Sequence, residues 1–455
     1  MHGVAFALVV FLGLPAAPPD PEALVEQLGS PRFAPRELAG VTLVGLGRAA
    51  LPALRAARAS RDVEIRARAS AILDRVEGDL LVRPTMITLD FRDVTIAEAV
   101  RAIRGRTGLP VDLPAEGDSA WSGRKITLEG GRSLPFWEAM DALCKAGGVH
   151  HRFETEPTQG QAGSAFSIFD GDAPTPEPVS DSGPFRVHLA SVHYQSEVLL
   201  SRPRPGSVAR GLRPTPADHA EQRPAASSKQ FYFQLLVTAE PGLAIASNGS
   251  VRVIEASDDL GRSIVVSDRT AAPQTSSGDF GLDSSPQLRL RVDLARLEEP
   301  GRRIKRVKGV IPVVVSARKA DPLVVPVGGA PGKTYSNGDV TIGVREFRPA
   351  AGNRPAILKF SLRDAVGAGR DSARGDGELR PYRPESPQQQ LEVVDAEGRT
   401  VPWFPSGSLH AGDETRLTLT LLPGGTAGVP ASVRYHGIIR GEAEIPFEFR
   451  DIPMP

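Results

Sequence analysis

MITLDFRDVTIAEAVRAIRGRTGLPVDL, residues 86–113, and KITLEGGRSLPFWEAMDALCKAGGVHHRF, residues 125–153, are two versions of one pattern. Ile87, Thr88 and Leu89 correspond to Ile126, Thr127 and Leu128, an offset of 39. Ile96, Ala99, Val100 and Ile103 correspond to Phe136, Ala139, Met140 and Leu143, an offset of 40, so Gly130-Gly131-Arg132 carries one extra loop residue. Ile87, Leu89 and Phe91 alternate with Thr88 and Asp90, the period of a half-buried strand. Thr95 followed by Glu98 forms a capping box, and the apolar residues after it fall at i, i+3, i+4 and i+7, the stripe of an amphipathic helix. Gly105 or Gly108 can end that helix. Pro135 suits a helix start, where a missing N–H costs little. Each line therefore predicts a strand, a helix and a second strand, and two such helices on one small sheet predict a compact α+β domain.

The run Asp93-Val94-x-Ile96-x-Glu98-Ala99-Val100-x-x-Ile103, then Thr107-Gly108-Leu109, resembles the short N-terminal domains of bacterial secretins and TonB-dependent receptors (STN-like domains). The resemblance covers residues 84–155. It implies a location outside the cytoplasmic membrane and a role in binding other proteins or assembling into rings. No downstream stretch resembles a secretin pore or a membrane β-barrel, so a channel role is not implied.

The chain has 455 residues, enough for three or four domains. Its 54 basic and 54 acidic residues cancel, which gives no support for nucleic acid as a general partner. Residues 4–14 are an unbroken apolar run, the length of a signal-peptide core and too short to span a bilayer. The reading is a signal-peptide-like segment at 1–19, an exported chain in the periplasm or cell envelope, and no transmembrane helix in the mature chain. A lone cysteine, Cys144, excludes an intrachain disulfide and reads as a small core residue.

Residues 20–78 read as four helices with Leu24 and Leu28, then Leu38, Val41 and Leu46, then Leu51 and Leu54, then Leu73 and Val76 facing inward. Ser30-Pro31-Arg32-Phe33-x-x-Arg36-Glu37-x-Ala39 and Asp62-x-Glu64-Ile65-Arg66-x-Arg68-Ala69 resemble HEAT-type repeats. At roughly 40 residues per repeat the segment is too short to close an independent core, so it is expected to dock on the α+β domain. Residues 156–184, rich in Pro, Gly, Ser and Asp, read as a linker, with 166–169 as a possible last strand of the domain before it. Beyond it, many short strands without helical period predict antiparallel β-sandwiches of immunoglobulin type, divided near 328–333 into 185–328 and 333–455. The second set of strands reads as 340–347, 357–362, 391–394, 417–422, 433–439 and 444–449. Polar loops are expected at 201–229, 268–286 and 364–388.

The expected architecture is thus a multidomain α+β chain: a short HEAT-like helical segment, a small duplicated βαβ domain and two antiparallel β-sandwiches. No catalytic, cofactor or metal residues emerge. His150 and His151 are adjacent on a strand and point to opposite faces, and His188 and His193, an odd spacing apart, are expected to do the same. Arg374-Gly375-Asp376 is too short a motif to use. Arg302, Arg303, Lys305, Arg306 and Lys308 read as an exposed basic edge or hairpin, which deters edge-to-edge pairing. With the strand around Val111, they are the candidate interaction residues. The functional expectation is a non-enzymatic, cofactor-free module that binds or scaffolds envelope proteins. Hydrolysis at a sandwich loop or domain junction is the alternative, and carbohydrate binding a third.

Overall fold

A computed structural model describes residues 19–113, 120–153, 166–171, 178–198, 227–266, 285–295, 301–328, 332–337, 340–351, 354–364, 390–411, 414–422 and 428–455. The signal-like segment up to residue 18, Arg374-Gly375-Asp376 and almost all of the three expected polar loops lie outside the described residues. What is described is mostly strand in antiparallel sheets, with a few helices. It divides into two compact units, one up to Leu80 and one from Leu81 on.

The first unit contains α1 (Pro21–Gln27), α2 (Phe33–Leu46), a 3₁₀ turn over Gly47–Ala50, α3 (Leu51–Ala57) and most of α4 (Val63–Leu81). Asp62 accepts hydrogen bonds from the Glu64 and Ile65 amides at 2.8 and 3.2 Å, the N-cap that its position predicts. Leu24, Leu28, Leu43, Leu54, Leu73 and Val76 are buried together. One helix is rotated from the expected reading. Leu38 and Val41 are about two-thirds exposed, and Ala39 and Leu43 face inward instead. Two apolar stripes coexist on α2, and the one built around a small residue, Ala39, allows the closer approach. Phe33–Ala57 is also long and apolar enough by composition to cross a membrane, which the sequence reading did not anticipate. Gly47, at φ 54°, breaks it into two helices. The 14 residues of α2 rise only about 21 Å, short of a bilayer core of about 30 Å.

The second unit opens with the duplicated segment: β1 (Met86–Thr88), β2 (Phe91–Thr95), α5 (Ile96–Thr107), β3 (Val111–Asp112), β4 (Lys125–Leu128), β5 (Ser133–Pro135), α6 (Phe136–Gly147), β6 (Val149–Phe153) and β7 (Phe166–Asp170). The capping box forms as read. Thr95 Oγ1 accepts from the Glu98 amide at 3.2 Å, and Glu98 Oε2 accepts from the Thr95 amide at 2.8 Å. Gly108 and Gly148, at φ 72° and 60°, end the two helices in the left-handed conformation that glycine adopts without strain. The halves exchange strands. Strand β1 pairs with β5, aligning Ile87 with Leu134, and β4 pairs with β2, aligning Ile126 with Val94. Those are corresponding residues of the two lines, so the repeat has pseudo-twofold symmetry. Strands β3 and β6 flank β7 on either side. Ile96, Ala99, Val100 and Ile103 share one core with Phe136, Ala139, Met140 and Leu143.

The expected linker is partly structure. Strand β7 completes the α+β domain, and β8 (Val179–Ser182) pairs with β9 (Phe185–Val198). Next come β10 (Ser227–Ala239), β11 (Leu243–Ser247), β12 (Arg252–Asp258), β13 (Gln287–Asp293) and β14 (Arg303–Arg318). Sheets β13-β10-β9-β8 and β11-β14-β12 close over one core that includes Phe233, Val237, Ile304, Val313 and Phe447. A second pair of sheets follows, built from β15 (Leu323–Pro326), β16 (Thr334–Ser336), β17 (Val340–Arg348), β18 (Ala356–Asp364), β19 (Leu391–Asp395), β20 (Trp403–Ala411), β21 (Glu414–Leu421) and β22 (Pro430–Tyr435). Sheets β15-β22-β19 and β16-β17-β18-β21-β20 bury Leu358, Phe360, Val393 and Leu419 between them.

The division expected at 328–333 does not hold for the C-terminus. After Tyr435 only two residues precede β23 (Ile438–Pro453), which pairs along β14 from Arg303↔Pro453 to Arg318↔Ile438. It therefore belongs to the first sandwich. Strand β15 continues from β14 and pairs with β22, so residues 303–326 and 430–453 run as one antiparallel ribbon through both sandwiches. The Lys319 amide donates to the Gly437 carbonyl at 2.7 Å across the joint. Both sandwiches also repeat one hairpin, Asp258-x-x-Gly261-Arg262 and Asp395-x-x-Gly398-Arg399. Each aspartate accepts from the amide of its own arginine at 2.8 Å, from that arginine's side chain, and from the amide of a glycine preceding the next strand of the sheet, Gly301 or Gly428. Gly261 and Gly398 both sit at φ 80°.

Two contacts fasten the α+β domain to the first sandwich. Arg186 on β9, side chain 5% exposed, donates to Asp141 of α6 at 2.8 and 2.6 Å and to Asp181 of β8 at 2.7 Å twice. Its guanidinium also lies 5.0 Å from the Trp137 ring. The Pro184 carbonyl accepts from both Trp137 Nε1 and the Glu240 amide, while the Glu240 carboxylate accepts from the Thr85 amide at 3.0 Å.

Candidate functional site

Of the residues singled out from the sequence, the basic run does not occupy a free edge, whereas β3, which carries Val111, pairs with β7 on one side only among the described residues. Val111 is buried on a two-residue strand, and its side chain belongs to the core of the α+β domain. Arg303, Lys305, Arg306 and Lys308 lie on β14, and Arg302 immediately precedes it. That strand is interior, with β12 on one side and β23 on the other. The basic run is matched by acidic residues on those neighbours. Lys308 stands opposite both Glu255 and Glu448 in register, and Arg306 pairs with Glu448 at 3.1 Å and with Glu255 at 3.2 Å. Opposite charges across strands stabilise a sheet face modestly, which accounts for Arg306 and Lys308 within the run.

The most exposed edge is β20, which does not stand out in the sequence. It pairs with β21 on one side only among the described residues. Residues 404–409 are all exposed, with Phe404 at 45% and Leu409 at 56%. An unpaired edge offers a row of N–H and C=O groups to an added strand. Pro405 and the register shift between Pro405 and Gly407 interrupt the first half of the edge, a device that discourages uncontrolled pairing, and leave Gly407–Ala411 regular. Pro405 and Gly407 are also what hide the strand from a propensity reading; the exposed Phe404 and Leu409 at its ends are the available signal.

Register maps the outer face of this sheet. One row runs Leu409, Arg416, Ser361, Gly343, Thr334; the next runs Ala411, Glu414, Arg363, Thr341. Gly343 places no side chain in its row, and a notch opens there, lined by Thr334, Arg345, Ser361 and Arg363. A Cβ at Gly343 would stand 3.1 Å from Ser361 Oγ and 3.5 Å from Thr334 Cγ2. Glu414, at the notch wall, is only 9% exposed and is ion-paired to Arg345 and, at 3.2 Å, to Arg416. The Arg345 hydrogen bond holds its carboxyl down at about 2, so it is ionised. Arg363 is exposed and has no carboxylate partner among the described residues.

The histidines and the cysteine are placed as follows. His150 stacks on Phe169, while His151 packs against Trp137 and Phe166 and lies 3.4 Å from Asp141, so the pair diverges as read. Burial works against ionised Asp141, but the hydrogen bonds from Arg186 and His151 outweigh it and hold the carboxyl well below its ordinary range. Burial pushes the Cys144 thiol up to about 12, the state of an inert core residue. His188 and His193 depart from the expectation. A bulge at Ala190 sets them opposite Leu236 and Tyr232, an even spacing, so both face outward on the same side. There His193 stacks on Tyr232 at 4.8 Å, and its Nε2 lies 2.6 Å from Ser191 Oγ.

The chain matches no protein-family model, no curated protein and no solved structure. Its functional reading therefore rests on the sites themselves.

Proposed function

We propose that this chain is an exported protein of the cell envelope that binds and scaffolds other proteins, with β20 as the strand that receives a partner. The observation that carries the reading is the nine-residue edge at Trp403–Ala411, exposed through 404–409 and unpaired on its outer side among the described residues. The rigid setting supports it. The ribbon joins the two sandwiches, and the buried Arg186 joins the first sandwich to the α+β domain, so a partner held at β20 is held in fixed register to the rest of the second unit. The resemblances to STN-like domains and HEAT-type repeats favour contact with proteins over turnover. A proline scan through 406–410 tests the proposal by crosslinking in the native envelope. Only the alternate positions whose N–H points away from β21 should abolish the crosslink, because only those donate to an added strand. Loss at every position, or at none, excludes strand addition at this edge.

The alternative, a hydrolase, has one observation in its favour, the Ser191–His193 contact, which lies on the outer face of β9 and not in the sandwich loop or domain junction expected for it. A hydroxyl within hydrogen-bond reach of an imidazole is the arrangement of an activated nucleophile. Labelling of Ser191 by a serine-reactive phosphonate, lost in His193→Ala, would establish it.

A further inference from the structure

We infer that the notch around Gly343 is a binding site for carboxylate groups of an acidic peptide. Two guanidiniums, from Arg345 and Arg416, pair with a single carboxylate, Glu414, and a third, from Arg363, lines the same notch. Glu414 is occupied by two of them, and Ser361 bonds to it as well. Arg363 stands directly opposite Glu414 in register, yet its charge is left without a partner among the described residues. The patch therefore carries two positive charges in excess, at a point where the sheet has a gap instead of a side chain. Guanidinium is the donor that matches a carboxylate in shape as well as in charge. Glycine at 343 is what keeps the space open for it, since any Cβ there would press on Ser361 Oγ at 3.1 Å.

The row through Gly343 continues across Ser361 and Arg416 to Leu409, which is 56% exposed. An oxyanion free in solution would have no use for that apolar end. A peptide whose acidic residue sits near an apolar one spans the row. The inference does not depend on strand addition, because the notch, on β17 and β18, lies two to three strands in from the β20 edge.

The test is fluorescence anisotropy of a fluorescein-labelled hexaglutamate peptide with the full chain at low salt, where exposed charges are least screened. Binding should weaken about tenfold in Arg363→Ala, an exposed change that does not touch the core. It should weaken similarly in Gly343→Val, which fills the notch. Lys305→Ala, on the other sandwich, should leave it unchanged. Absence of binding by the parent chain overturns the inference, as does equal affinity in Arg363→Ala. Equal weakening in Lys305→Ala shows diffuse attraction and also overturns it. Full displacement of the peptide by equimolar inorganic phosphate overturns the assignment to peptide carboxylates. Should the proline scan of β20 fail while hexaglutamate still binds at Arg363, strand addition alone is excluded and the notch stands.

Discussion

Glu240→Gln is expected to stabilise the second unit increasingly as pH rises above about 4.5. Glu240 is 2% exposed, and its carboxylate accepts the Thr85 amide with no guanidinium or ammonium recorded against it among the described residues. Burial pushes its carboxyl up from 4.5 to about 7, and the Thr85 hydrogen bond only partly opposes that. A folded value raised above the unfolded one means that the neutral group is favoured by folding. Its contribution is complete below about pH 4.5 and is lost as pH rises through about 7. At about 1.36 kcal/mol per unit, the full loss is about 3 kcal/mol, of which about 2.5 falls between pH 5 and pH 9. Glutamine is neutral throughout and keeps an oxygen for Thr85. Urea unfolding followed by tryptophan fluorescence reads this junction, because Trp137 shares the Pro184 carbonyl with the Glu240 amide. The stability gap between variant and parent should widen by about 2.5 kcal/mol from pH 5 to pH 9. A gap independent of pH would show that Glu240 ionises without cost, and the buried junction would be wrong.

Arg186→Ala leaves Asp141 and Asp181 facing each other without their shared cation, and should cost about 3 kcal/mol by urea unfolding at pH 7, the low end for a broken buried pair because both carboxylates reach solvent. The same pair makes the parent acid-sensitive. The folded Asp141 value lies below the unfolded one, so its contribution is present above about pH 4 and disappears as pH falls further; Asp141→Asn should flatten that part of a pH–stability curve. Ile103→Ala and Leu143→Ala, which remove buried side chains at corresponding helix positions, should each cost about 2–5 kcal/mol, and parental melting in both would refute the shared core. Gly309→Val should prevent folding of the first sandwich, because a Cβ there would come within 2.6 Å of the Phe447 ring and 2.7 Å of the Arg252 carbonyl; a parental circular dichroism spectrum would contradict that packing.

Local chemistry in the sequence specifies much of this. The Thr95–Glu98 box, the glycines at 108 and 148, and the matched apolar stripes each act within one turn of helix, and each is found where the residues place it. Features set by distant partners are not legible in the same way. The inward face of α2 depends on which neighbour packs closest, so the apolar pattern alone places Leu38 and Val41 on the wrong side. The parity of His188 and His193 turns on one bulge at Ala190 that no residue announces. Residues 433–439 read as one strand because the step at His436-Gly437, from one sandwich into the other, lacks a proline or a polar turn cluster. The basic run on β14 suggested an edge because its acidic partners, Glu255 and Glu448, lie far off in the chain. For the candidate site, Gly343 and Arg363 are unremarkable as letters, and only strand register brings them into neighbouring rows.

The position of β23 has a consequence for biogenesis. The first sandwich is made early, but the strand that covers the free side of β14 ends at Pro453. At about 5–20 residues per second, synthesis of everything between them takes on the order of ten seconds. Throughout that interval sixteen residues of β14, buried on alternate positions, present an open hydrogen-bonding side. Such an edge invites pairing with any other nascent strand. The chain must therefore be kept apart from its neighbours until residues 438–453 arrive, and a deletion that removes only β23 should aggregate although both sandwiches retain all their other strands.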